Sequence, residues 1–79
     1  MKNKKNVIIF GGKGLIGNTL IQSTLLNDKY DLFNLDLSVK KNLYPNFNCN
    51  VLKNKDIESK INKISKIYGP IYGVINSTY

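Results

Sequence analysis

The residues best placed to do chemistry are Gly11, Gly12, Gly14 and Gly17, which lie between the apolar run 7–10 and an amphipathic segment that begins at Leu15. They fit two registers. Gly12, Gly14 and Gly17 make G-x-G-x-x-G, and Gly11, Gly14 and Gly17 make G-x-x-G-x-x-G. The physics is the same in both. The first glycine permits a tight turn out of a strand. Gly14 has no side chain, so a pyrophosphate can approach the backbone, and Gly17 lets the following helix pack close to the strand. The N–H groups at the start of that helix, around Leu15 and Ile16, then face the phosphates with the positive end of the helix dipole behind them. Nineteen residues after Gly17, Asp36 ends a second strand-like run, and a carboxylate there can accept hydrogen bonds from ribose hydroxyls. This order of parts is the dinucleotide-binding fingerprint. The charge of Asp36 would repel a 2′-phosphate, which favours NAD. Lys13, beside Gly14, and Lys40 and Lys41 beyond Asp36 pull the other way, so NADP stays the alternative. The plain alternatives are an ordinary glycine loop and a solvated carboxylate at a strand end. A P-loop is excluded, because no Gly-Lys pair is followed by Ser or Thr.

The elements that must position these residues can be read from hydropathy. Residues 6–10 form a continuous apolar run, as expected of a parallel strand covered on both faces. Residues 15 to about 26 read as a helix, with Ile16/Leu20 and Ile21/Leu25 at i, i+4, and residues 30–37 read as a second strand. Residues 38–46, with two lysines, two asparagines and Pro45, read as a loop, and residues 47–51 as a short third strand. Asn54 is the expected N-cap of a second helix, with Asp56 and Glu58 in its first turn. Ile57, Ile61, Ile64 and Tyr68 give that helix a core-facing stripe, and Gly69 and Pro70 end it. Residues 71–76 are a fourth strand. The order β-α-β-β-α-β predicts an α/β fold with a parallel sheet and right-handed crossovers.

Bulk properties exclude several functions. A chain of 79 residues is one small domain at most, and one of this size buries only about 60% of its unfolded surface. No apolar run approaches the roughly 18 residues of a membrane span, and the short apolar run before Gly11 is too brief for a signal peptide. Cytoplasmic location is therefore the expectation, with no membrane partner. Cys49 is the single cysteine and histidine is absent. Intrachain disulfides, zinc sites and histidine triads are ruled out. The net charge of +7 comes entirely from lysines spread along the chain, with no arginine, so it reads as a solvated surface and not a nucleic-acid face.

With these residues in view, the chain resembles the short-chain dehydrogenase/reductase superfamily along its whole length. Residues 11–17 are similar to the glycine motif of the extended and some atypical members, with Phe10 where a threonine is usual. Cys49-Asn50-Val51 resembles the Asp-Val pair that ends the third strand. Asn50 departs from the acid there, although its carbonyl oxygen can still accept a hydrogen bond from an adenine amino group. Residues 68–76 are similar to the family's Tyr-Gly-x-Ile-Asp-x-Leu-Val-Asn segment. Asn76 would be the first asparagine of its Asn-Asn-Ala-Gly motif, which steadies the sheet beside the cofactor. Ser77, Thr78 and Tyr79 do not follow that motif.

The resemblance implies a partial Rossmann-type domain over residues 1–79, holding NAD or NADP through Gly11, Lys13, Gly14, Leu15, Ile16, Gly17, Asp36, Asn50, Val51 and Asn76. It also implies a parent oxidoreductase that exchanges hydride between a nicotinamide and an alcohol or carbonyl. That chemistry uses a tyrosine followed four residues later by a lysine. Asn34, Asn48, Tyr72 and Asn76 stand at those positions after Tyr30, Tyr44, Tyr68 and Tyr72. The expectation is a cofactor-binding part truncated before the catalytic half, inactive alone and with a tendency to self-associate. A non-catalytic nucleotide-binding module, a gene remnant, and part of a sugar-nucleotide epimerase or dehydratase remain as alternatives.

Overall fold

The computed structural model describes residues 4–11 and 14–77. Among them, Lys5–Phe10 (β1), Tyr30–Asp36 (β2), Asn46–Asn48 (β3) and Ile71–Asn76 (β4) form one four-stranded sheet in the order β3-β2-β1-β4. All three pairings are parallel. The α/β expectation therefore holds. β1 is central, with Phe10 opposite Leu35 on one side and Asn76 on the other.

Alternation along the strands sends side chains to two faces, and each face has its own helical cover. Ile8, Phe33, Leu35 and Phe47 meet Ile57, Ile61, Ile64 and Tyr68 of the helix Asn54–Tyr68. The isoleucine stripe is core, as its spacing predicted. The helix ends at Gly69, whose φ of 106° takes the chain into a conformation that L side chains rarely adopt. On the other face, Val7, Ile9 and Leu32 pack against Leu20, Ile21 and Leu26.

The first helical segment departs from expectation. It is two short helices, Leu15–Ile21 (α1) and Thr24–Lys29 (α2), which makes Asn54–Tyr68 α3. The break is set by Ser23, whose hydroxyl accepts from the Leu26 N–H at 3.2 Å and so starts a new helix. The redirected α2 packs Leu26 on the core and leaves Leu25 72% exposed; in α1, Ile16 is 59% exposed. Two further boundaries differ. β3 stops at Asn48, so Val51 lies in a turn, and the residue capping α3 is Lys53, not Asn54.

Two asparagines are buried among the apolar strand residues. Asn6 places its Nδ2 3.1 Å from each of the carbonyls of Tyr68, Gly69 and Pro70, fixing the turn between α3 and β4. Asn34 Nδ2 donates to Asn46 Oδ1 at 2.9 Å, tying β2 to the start of β3. Burial of an amide is tolerated because these partners replace water. Among the described residues no helix is long and apolar enough to cross a membrane.

Candidate functional site

Because the strands are parallel, their C-terminal ends share one edge of the sheet. The chain leaves β1 to build β2 and β3 on one side, then returns to place β4 on the other. The connections diverge between β1 and β4, and in open parallel sheets such a switch point opens a crevice at the strand C-termini where ligands bind. Gly11 and Gly14 lie there. Gly11 follows β1 with φ 81°, donates its N–H to the Leu35 carbonyl at 3.0 Å and accepts from the Gly14 N–H at 3.0 Å. This makes a tight turn.

Gly14 is exposed and caps α1 with φ −73° and ψ 173°, a backbone that any residue can adopt. Its lack of a side chain is therefore not demanded by the turn. No side chain caps α1, and its first helical hydrogen bond runs from Asn18 N–H to the Gly14 carbonyl at 2.8 Å. The opening N–H groups, those of Leu15, Ile16 and Gly17, have no partner within the helix. Gly17 is buried, consistent with close passage of α1 over the sheet. Gly12 and Lys13, and the Leu15 side chain, lie outside the described residues.

Asp36 is the last residue of β2, adjacent to the turn. Its Oδ1 accepts from both the N–H and the hydroxyl of Ser38 at 2.9 Å. Its carbonyl accepts from the N–H of Val39 at 3.3 Å and of Cys49 at 3.2 Å. Asn48 pins the following loop, donating from Nδ2 to the carbonyls of Leu37 at 3.1 Å and Val39 at 2.7 Å. The carboxylate is thus held at the sheet edge by its own loop. The spacing Asp-x-Ser is a sequence signal for such an Asx turn.

Asn50 and Val51 sit at the far end of the same edge, beyond β3. With about 4.8 Å between neighbouring strands, β3 and β4 are about 14 Å apart across the site. Asn50 Oδ1 accepts from the Leu52 N–H at 3.0 Å, which occupies one of the lone pairs expected to face an adenine. Its backbone N–H donates to Asp56 Oδ2 at 2.7 Å, and Asp56 Oδ1 meets Lys60 Nζ at 2.9 Å. The Asn50 N–H, then Lys60, hold the Asp56 carboxyl below its ordinary value. A lowered folded-state value means that the stabilisation is present above the unfolded carboxylate pKa of about 3.9 and is lost as pH falls through the folded one. Melting temperatures of wild type and Asp56→Asn should accordingly differ at neutral pH and converge in acid. A gap undiminished at low pH would deny the carboxylate this role.

Asn76 ends β4 beside Phe10, on the edge where it was expected. Ser77, which departs from the family motif, bonds to the Phe10 and Gly11 carbonyls. Its N–H and Oγ reach the Phe10 carbonyl at 3.0 and 2.6 Å, and Oγ also lies 3.2 Å from the Gly11 carbonyl. The structure thus brings Gly11, Gly14, Asp36 and Asn76 to one edge, with Asn50 and Val51 flanking it.

The opposite end of the sheet carries a cleft of ≈ 440 Å³ lined by Lys4, Lys5, Asn6, Tyr68, Pro70, Ile71 and Tyr72. It contains none of the sequence-predicted site residues. Cys49 is buried, and burial pushes its thiol pKa up, which disfavours the nucleophilic thiolate. Among the described residues no group of His, Cys, Asp and Glu is arranged to hold a metal. Comparison with protein-family models and with curated proteins finds no match to the chain.

Proposed function

We propose that this chain binds a dinucleotide, NAD in preference to NADP, as the N-terminal cofactor-binding part of a Rossmann-type domain of the short-chain dehydrogenase/reductase kind. One observation carries the reading. The glycine turn, the uncapped start of α1 and Asp36 meet at the strand C-termini, at the β1/β4 switch point. The sheet order β3-β2-β1-β4 supports it, matching the first four of the six strands of the doubly wound order in which dinucleotides bind at that position. The pyrophosphate would lie over Gly11 and Gly14 against the first turn of α1, and the adenosine ribose beside Asp36. The adenine would extend toward Asn50 and Val51.

The parent activity is hydride exchange between a nicotinamide and an alcohol or carbonyl. No tyrosine in the chain is followed four residues later by lysine, so the function proposed for these residues is binding and orientation. Cofactor choice tests the reading. A pair of like charges about 4 Å apart is worth about 1–4 kcal/mol between bulk water and a protein surface. Asp36→Ala should therefore narrow the preference for NAD over NADP by about tenfold. Competition of the two cofactors against NADH fluorescence measures the ratio. An unchanged ratio would remove Asp36 from the ribose site.

A further inference from the structure

We infer that Ser77 is a positioning residue for the nucleotide phosphates, acting through the backbone of the glycine turn; this rests on the dinucleotide-binding reading above. Ser77 is the first residue after β4, on the far side of the switch point from Asp36. Its N–H extends the β1–β4 pairing by one bond, to the Phe10 carbonyl at 3.0 Å. Its hydroxyl adds a second, shorter contact to that carbonyl at 2.6 Å, and a longer one to the Gly11 carbonyl at 3.2 Å.

These two carbonyls define the turn. Phe10 is the last residue of β1, and Gly11 is where φ becomes positive. A carbonyl oxygen has two lone pairs. The Phe10 oxygen receives the N–H and the O–H of Ser77, and the Gly11 oxygen receives the Gly14 N–H at 3.0 Å with the Ser77 hydroxyl beyond it. The hydroxyl thereby holds the Phe10 and Gly11 carbonyls, from which the chain leaves β1. Its single proton goes chiefly to the Phe10 oxygen, the nearer of two partial negative charges beside the proposed phosphate position. Removing it would leave the Ser77 N–H on the Phe10 carbonyl without the hydroxyl beside it and would loosen the phosphate-facing N–H groups.

The test uses the full chain, NADH fluorescence, and competition by ADP, which carries a pyrophosphate, and adenosine, which does not. Ser77→Ala should weaken NADH and ADP about fivefold, the scale of one net hydrogen bond. Adenosine should change less than about twofold, and Ser77→Thr, which keeps the hydroxyl, should restore ADP binding. If the alanine variant melts early, Ser77→Cys, similar in size but a weak donor, carries the same expectation. Wild-type binding of NADH with ADP affinity unaltered in the variants would overturn the role of Ser77 and leave the binding reading intact. Equal weakening of adenosine and ADP would overturn it as well, by showing a general loss of structure. A folded wild type that binds neither NADH nor ADP would remove both.

Discussion

Replacing Gly14 with valine should abolish dinucleotide binding and leave the fold standing. The two effects separate because the Gly14 backbone, at φ −73°, lies in a region open to any residue. A Cβ there would meet the Gly11 carbonyl at 3.4 Å, an ordinary contact, and the residue is exposed. On the proposed reading, glycine at this position leaves room for the approaching pyrophosphate. Valine would put two methyl groups over the uncapped N–H groups of α1, in the path of a pyrophosphate. A displaced phosphate loses several charge-assisted hydrogen bonds, each worth about 1.5–3 kcal/mol, which is enough to push affinity out of a measurable range. Gly11 provides the contrast. At φ 81° a side chain is strained by about 1–2 kcal/mol, so Gly11→Ala should lower the melting temperature, which Gly14→Val should not. Paired melts and NADH titrations check both. Wild-type affinity in Gly14→Val would take the glycine turn out of the site.

Phe33→Ala should unfold the chain. Phe33 is fully buried at the centre of β2, and its ring meets those of Tyr68 at 4.9 Å, Tyr44 at 5.2 Å and Phe47 at 6.2 Å. It therefore joins β2 to β3, α3 and the loop between the two strands. Truncating a buried phenylalanine costs about 3–5 kcal/mol. At about 0.05–0.15 kcal/mol per residue, 79 residues hold about 4–12 kcal/mol, and a domain this small lies toward the lower end, where that loss is decisive. Leu52, 90% exposed, is the control, and Leu52→Ala should stay within about 0.5 kcal/mol of wild type. Urea titration followed by circular dichroism measures both. A cooperative transition retained within about 1 kcal/mol in Phe33→Ala would show that the core is centred elsewhere.

The four strands and the α3 stripe were legible in the sequence because each rests on local periodicity. β4 and its Gly69-Pro70 boundary lie where hydropathy and turn chemistry placed them. The misread features are those decided by a partner distant along the chain, or by one side chain competing with helix propagation. Ser23 split the first helix by capping a second one, in which Leu26, partly buried, packs on the core while Leu25 is exposed. Asn6 and Asn34 gave no sign of burial, since their acceptors lie as far along the chain as Pro70 and Asn46. At the site, glycine spacing and the position of Asp36 depend on a short segment and could be read. The clasp of Ser77 on Phe10 spans the sheet and became visible only when β4 was seen beside β1.

Binding of a dinucleotide at the C-terminal edge of the sheet, over the glycine turn, can be read by backbone amide NMR of the labelled chain titrated with NADH, because the resonances report which end of the sheet the ligand touches. Saturable shifts are expected at Gly11, Gly14, Ile16, Gly17, Asp36 and Ser77, with Asn6, Tyr72 and the rest of the opposite cleft unmoved. A folded chain with no shifts at the glycine turn, or with shifts confined to Lys4, Lys5 and Tyr72, would contradict it.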